Sequence, residues 1–342
     1  MARCIQLAKN GLGATYPNPL VGSVIVHNST IIGEGWHQRA GLPHAEVNAL
    51  TSVRDTALLN KATLYVSLEP CSHFGRTPPC ADRIIESGIR KVVIGSTDPN
   101  PQVAGRGIKK LMEAGCDVVV GVLEDECVAL NKRFFTFHDK KRPYIFLKWA
   151  QTQDGFIAPL KETRNTQQPV WITGSLSRQL SHKLRTTEQA ILVGTNTVLD
   201  DNPSLTSREW HGANPLRVIL DRSGKIDGSA KVFDSEAPTL LLTETGNYIN
   251  EKVLVERITF TKNLASQICD VLYRHTIHSL IVEGGQQTLS TFINANLWDE
   301  ALVFTGSENF GEGVPAPRID IKEKSSQSLQ GDVLHHYKNH NR

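Results

Sequence analysis

Strand-like and helix-like stretches alternate along the chain. Near the start, "LVGSVIV" and "IIGEGWH" are apolar, β-rich runs on either side of "HNST", which predicts two strands around a tight turn. Residues 45 to 53 carry apolar positions at helical spacing. "ATLYVSLEP" reads as a strand ending at Pro70, and "CADRIIESG" as a short helix closed by Gly88. "KVVIGSTDPNP" is a strand running into a Pro/Asn loop, "GIKKLMEAG" a helix, and "CDVVVGV" a strand. "EDECVALNKRFFTFHDKK" has helical spacing and ends in charge. The basic cluster "DKKRP", residues 139–143, is the best domain boundary, giving units 1–140 and 143–342. A second series follows. It contains strands "YIFLKWAQT", "AILVG", "LRVILD" and "SLIVEGG", and helices "SRQLSHKLRTT", "LASQICDVLYRH" and "QQTLSTFINANL". "KEKSSQSLQG" reads as a polar loop. Both halves are therefore α/β, without internal repeats.

Composition narrows the class. A chain of 342 residues is longer than one ordinary core holds, which agrees with two domains. A formal net charge of +2, spread along the chain, gives no electrostatic case for a large nucleic-acid surface and leaves only a local one open. No apolar run is long enough for a membrane span, and "MARCIQLAKNGLG" lacks the apolar core of a secretory signal. Six cysteines in so long a chain do not form a disulfide framework. A reducing cytoplasm is expected, with the tight pair Cys71 and Cys80 reserved for metal.

That pair gives the clearest chemistry. His44 offers an imidazole nitrogen, and Cys71 and Cys80 offer thiolates, a donor set that suits tetrahedral Zn²⁺. Three protein ligands leave a fourth position for water. Glu46, two residues after His44, is placed to move protons at that water. Zinc deaminases divide the labour this way, with a non-ligand Glu in H-x-E, but their two cysteines are separated by two residues. Here eight residues intervene, and "SHFGRTPP" must loop beside the metal. His73 within that loop is a rival ligand. A base deaminase acting on nucleic acid and a closed, non-catalytic zinc scaffold are the competing classes. The first calls for aromatic stacking groups, yet aromatics are 6% of the chain, and it leaves the second half unexplained. The second needs a fourth ligand such as His73.

The order of motifs resembles the bifunctional deaminase–reductases of riboflavin biosynthesis over nearly the whole chain. The marks are "TYPNPLVGSVIV", "GEGWHQRAGLPHAEVNAL", "EPCSHFGRTPPCADRIIESG" and "DPNPQVAGRGI", then "LKWAQTQDG", "GTNTVLDDNPSLT" and "VEGGQQTL". The resemblance implies a cytidine-deaminase-like αβα domain followed by a dihydrofolate-reductase-like α/β domain. It implies hydrolytic removal of the 2-amino group of a 2,5-diamino-6-ribosylamino-pyrimidinone 5′-phosphate, then NADPH-dependent reduction of ribosyl to ribityl. The expected partner is this small molecule, with no nucleic acid and no membrane, and self-association into a dimer or tetramer.

Carried over by local match, Asn18 in "YPNP" becomes a ligand for the pyrimidine edge. Two further residues are candidates for the same cavity: His37, which reads equally as a structural group of its loop, and Arg76, in the loop between the cysteines, as a hand for substrate phosphate or ribose. Asp98 and Asn100 in "DPNP" read as turn-makers. In the second half, Lys148 and Glu283 fall at the reducing centre, one of them giving the proton that accompanies hydride delivery. Arg185, Leu205 and Arg208 fall at the substrate and its phosphate. Gln151, Trp171, Thr197, Asp201 and Arg222 fall at the nicotinamide cofactor, with Arg222 a partner for a 2′-phosphate. Gly285, Gln286, Gln287, Thr288, Leu289, Ser290 and Thr291 form a contact strip for the pyrophosphate at a strand-to-helix turn. Pro169 stands where some relatives have a serine hydroxyl.

Overall fold

The computed structural model describes residues 1–74, 78–101, 103–164, 166–246 and 253–340. The chain folds as two compact units, Met1–Lys141 and Arg142–Arg342. Among the described residues no helix is long and apolar enough to cross a membrane.

The first unit is built on five strands: β1 (Gly22–His27), β2 (Thr30–Trp36), β3 (Thr63–Leu68), β4 (Lys91–Ser96) and β5 (Asp117–Val120). Their order is β2-β1-β3-β4-β5. β1 runs antiparallel to both neighbours, while β3, β4 and β5 are parallel. The helices are α1 (Ala2–Ala8), α2 (Ala45–Thr51), α3 (Cys80–Glu86), α4 (Arg106–Glu113), α5 (Glu124–Leu130) and α6 (Lys132–Lys140). Ile25, Leu64, Val66, Val92 and Ile94 pack with Ala49, Ala81, Ile84 and Leu111 of α2, α3 and α4 in one core. The helical stretch read over 124–141 is two helices. Asn131, with φ −100° and ψ 22°, leaves the helical region between them, and its buried amide bonds elsewhere.

The second unit holds a nine-stranded sheet. Its strands are β6 (Tyr144–Gln151), β8 (Ala190–Gly194), β9 (Leu216–Leu220), β10 (Thr239–Thr243), β11 (Val253–Arg257), β12 (Ser279–Glu283), β13 (Glu300–Thr305), β15 (Ser325–Leu329) and β16 (Asp332–Lys338); β7 (Phe156–Ala158) pairs separately with β14 (Val314–Pro315). The order is β11-β10-β9-β8-β12-β6-β13-β16-β15, parallel through β13 and antiparallel in the last two pairings. Period-two alternation divides the apolar side chains between two faces. Leu192, Val218, Leu220, Leu240, Leu280 and Val282 face α9 (Leu264–Arg274) and α10 (Gln286–Asn294). Ile191, Val193, Ile219, Leu241 and Ile281 pack with Val198 of α8 (Thr195–Asp201), and the partly buried Leu184 of α7 (Ser175–Thr187) lies against the same cluster. A parallel sheet covered on both faces explains why these strands read as near-continuous apolar runs.

One expectation changes here. "KEKSSQSLQG" is not simply a polar loop, because Ser325–Leu329 is the edge strand β15. Four of its five residues are exposed, so no apolar alternation marks it. Its hairpin turns at Gln330 and Gly331, both with positive φ (48° and 101°), as a tight two-residue hairpin requires. Arg142, in the basic boundary cluster, is buried and forms a two-pronged ion pair with Asp299 at 2.6 and 2.7 Å.

Candidate active sites

In the first unit α2 lies directly on β2. A Cβ on Gly35 would come within 2.6 Å of the backbone nitrogen of Ala49, so the glycines of "GEGW" admit the helix. Extended His44 is the N-cap of α2 and uses no side-chain capping bond, which frees its imidazole. Cys80 opens α3 after Pro79. The ligand atoms of His44, Cys71 and Cys80 lie within 4.8 Å of one another. His44 Nδ1 is 3.3 Å from Cys80 Sγ and 3.7 Å from Cys71 Sγ. The Cys80 backbone N–H donates to Cys71 Sγ at 3.3 Å. The Cys80 hydrogen bond holds the Cys71 thiol down at about 4, while the same contact pushes Cys80 up. One imidazole and two sulfurs converging on a point is a donor set that fits zinc. His73 is exposed and stands outside this cluster.

Glu46 is 3% exposed on the first turn of α2. Burial pushes its carboxyl up to about 7, against the opposing pull of His44. The charges of His44 and Cys71 both act on it, which places it beside the ligands. Asn18 Nδ2 lies 3.0 Å from His37 Nε2, and His37 Nδ1 is 3.2 Å from the Pro43 carbonyl. A carbonyl only accepts, so Nδ1 carries the proton and Nε2 accepts from Asn18. The His37 ring meets His44 edge-on at 5.3 Å. Arg76 lies outside the described residues. Asp98 makes a turn, accepting from Asn100 N at 2.8 Å, and burial raises its carboxyl to about 6.

Sequence reading missed Glu69. This buried carboxylate accepts backbone N–H groups from Asp98, Gly105, Gly107 and Ile108 at 2.9–3.3 Å. It ties the "DPNPQVAGRG" loop to the segment that carries Cys71. A Glu before Pro-Cys carries no local signal of its four distant partners.

The second unit has a cavity of about 760 Å³ at the C-terminal ends of its parallel strands, where α/β folds gather ligands. Lys148 on β6 pairs in register with Glu283 on β12. Lys148 Nζ donates to Glu283 Oε1 at 2.6 Å, and Arg185 Nη2 from α7 donates to Oε2 at 2.7 Å. Burial alone would raise the Glu283 carboxyl, but Arg185 and Lys148 overrule it and hold it at about 2. Arg185 also gives Nε to Glu283 and Nη1 to the Thr206 carbonyl, so all three of its nitrogens are engaged within the protein.

Leu205, Arg208, Trp171, Thr197, Asp201, Arg222, Pro169, Gly285, Gln286, Gln287, Thr288 and Thr291 line this cavity. Leu205 is buried with φ +57°, a strained backbone for leucine and one that clusters at functional sites. Thr197 Oγ1 accepts from Gly285 N at 3.1 Å. A Cβ on Gly194 would meet Thr288 Oγ1 at 2.7 Å, so glycine there lets the two strand ends and their helices close together. Asp201 is paired with Arg164 at 2.5 Å. Arg222 is paired with Glu244, with its side chain 57% exposed. Arg178 lies 4.9 Å over the Trp171 ring.

Three expected cofactor residues do not line the cavity. Gln151 ends β6, and its amide oxygen accepts from Trp149 Nε1 at 2.8 Å. Leu289 is fully buried in the core beneath α10, and Ser290 follows it on the turn away from the opening. A continuous strip from 285 to 291 ignored helical periodicity. Arg178, His182 and Lys225 line the cavity and escaped the sequence reading. For Arg178 and His182 the signal was present, since they share a helix face with Arg185 at seven- and three-residue spacing.

Comparison with known proteins agrees with this arrangement. A family model described as the cytidine and deoxycytidylate deaminase zinc-binding region matches residues 1–96, and one described as the RibD C-terminal domain matches residues 143–335. The chain is 44% identical over 331 residues to riboflavin biosynthesis protein RibD of Aquifex aeolicus, covering 94% of this chain and 90% of the relative. It is 51% identical over 359 residues to RibD of Actinobacillus pleuropneumoniae, covering 98% and 94%. A diaminohydroxyphosphoribosylaminopyrimidine deaminase/5-amino-6-(5-phosphoribosylamino)uracil reductase structure from Thermotoga maritima superposes with a TM-score of 0.86 at 40% identity, covering 99% and 97%. RibD of Acinetobacter baumannii gives 0.87 at 34%, covering 98% and 96%. A zinc-type deaminase unit followed by an NADPH-type reductase unit, in this order and with these relatives, means that the chain belongs to the RibD family of bifunctional riboflavin biosynthesis deaminase–reductases.

Proposed function

We propose that the first unit hydrolyses the 2-amino group from 2,5-diamino-6-ribosylamino-4(3H)-pyrimidinone 5′-phosphate, and that the second reduces the ribosyl chain of the product to ribityl with NADPH. The observation that carries the first step is the convergence of His44, Cys71 and Cys80 beside the buried, non-ligating Glu46. These three residues would hold the metal as its protein ligands. Zinc held there supplies a Lewis acid that makes water acidic enough to attack at neutral pH. Glu46 takes a proton from that water and delivers it to the departing ammonia. Because Asn18 gives its N–H to His37, its Oδ1 is left to receive an N–H from the pyrimidine edge. His73 is exposed and lies outside the ligand cluster, which favours an open catalytic site over a closed scaffold.

In the second unit the cofactor supplies hydride to the sugar C1′. Glu283 is held ionised and cannot be the proton source near neutral pH. Its partner Lys148 gives the proton to the sugar oxygen as the ring opens, and Glu283 aims it. Arg185 positions Glu283, and the substrate phosphate falls to Arg208, whose Nη1 also donates to Thr206 Oγ1 at 3.2 Å. Arg222 and Lys225, on one rim of the cavity, provide the cations for a 2′-phosphate. Six free thiols support action in a reducing cytoplasm, and self-association as a dimer or tetramer follows the resemblance.

Chelation tests the division of labour. Stripping the metal from the full-length protein stops deamination, leaves reduction of the deaminated intermediate intact, and zinc restores the first activity. Deamination that persists in metal-free protein, or reduction lost in parallel, contradicts the assignment.

A further inference from the structure

One buried amide lies outside both sites and yet grips the deaminase loop. Asn131, between α5 and α6, is 3% exposed. Leu20 N–H donates to Asn131 Oδ1 at 2.8 Å, and Asn131 Nδ2 donates to the Leu20 carbonyl at 2.8 Å. The amide thus pairs with both backbone groups of Leu20 as a neighbouring strand would. Leu20 precedes the first residue of β1, Gly22, so the sheet does not fix it. On either side of it the chain holds His37: Asn18 Nδ2 donates to His37 Nε2 at 3.0 Å, and the Val21 carbonyl accepts His37 N–H at 2.9 Å. The match to the deaminase zinc-binding region ends at residue 96, so this clamp comes from outside it.

We propose that Asn131 is a positioning residue for deamination, holding the Leu20 peptide so that Asn18 and His37 meet the pyrimidine edge in register with the metal. The inference rests on the reading of Asn18 as a substrate ligand. Without the amide, a buried N–H and a buried C=O lose their partners together, and unpaired buried groups of this kind draw in water or shift the segment. The displacement falls on substrate alignment. The metal ligands sit on other segments, α2 and the Cys71–Cys80 stretch, so the metal is retained.

The test is a double-mutant cycle on the full-length protein with Asn18→Ala. Asn131→Ala removes the amide, while Asn131→Asp keeps its volume and the acceptor for Leu20 N–H but loses the donor to the Leu20 carbonyl, and thermal melting of both variants reports whether the fold is kept. Each Asn131 variant should raise the deaminase KM by about tenfold with kcat changed by no more than about twofold. Zinc content and reduction of the deaminated intermediate should match the parent. Combined with Asn18→Ala, either should add little further loss, because both act through one contact. Multiplying effects in the double variant, loss of zinc, or both activities falling together with thermal stability would overturn the proposal and leave Asn131 a fold-stabilising helix breaker. Normal deamination by Asn18→Ala alone would overturn the reading of Asn18, and with it this route.

Discussion

Glu46→Gln is expected to lose deaminase turnover by about 10²- to 10⁴-fold, the span of a lost positioned acid–base group, while keeping its zinc. The argument is geometric. Glu46 is buried beside the three ligands, yet the ligand set is complete without it. Gln has the same shape and retains a hydrogen-bonding oxygen, so the metal shell and α2 should survive. What it lacks is the capacity to accept a proton from water and release it to ammonia. The two catalytic centres lie in separate units, so reduction of supplied deaminated intermediate should stay at the parent rate. Elemental analysis and the two separate assays decide it. A variant that loses zinc would make Glu46 a ligand or a support for one. A variant that deaminates near the parent rate would remove it from the chemistry.

Lys148→Met is the reductase counterpart. Methionine fills the space of the lysine stem without its ammonium, and Glu283 keeps its second partner, Arg185, at 2.7 Å. The carboxylate is therefore not left as an unpaired buried charge, which would otherwise cost about 3–5 kcal/mol and cloud the result. If Lys148 donates the proton, reduction should fall by about 10²- to 10⁴-fold, with deamination unchanged. Glu283→Gln should lose less, because the ammonium remains and only its aim is relaxed. The reverse order, with Glu283→Gln the more damaged, would assign proton donation to Glu283. Near-normal reduction in Lys148→Met would remove Lys148 from the step.

Much of this is legible in the amino-acid sequence. The metal set was readable because its chemistry is carried by residue type. Imidazole, thiolate and a nearby carboxylate in H-x-E and P-C contexts have few other reasons to occur together. The doubly covered sheet was readable because buried parallel strands are apolar throughout. What escaped depends on partners distant in sequence. Glu69 is bonded to groups 29 to 39 residues away, and Asn131 to one 111 residues away. Neither has a periodic or motif signature. The edge strand β15 was invisible because both of its faces meet solvent. Gln151 and Leu289 lie outside the cavity lining, a distinction that a motif match, which carries over consecutive residues alike, does not make. For Arg185 the motif match gives a position near the substrate phosphate, while its bonds to Glu283 and Thr206, 98 and 21 residues away, leave no mark in the sequence.

The central claim is that one chain performs two consecutive reactions on one pyrimidine phosphate. Incubating the full-length protein with the diaminopyrimidine phosphate, with and without NADPH, and following the products by mass tests it most directly. Without NADPH, the substrate should be converted only to the species in which oxygen replaces the amine. With NADPH, that species should pass on to one that has gained two hydrogens, with cofactor oxidised in equal amount. Reduction of the starting diamine before deamination, or no change in mass under either condition, would contradict the account.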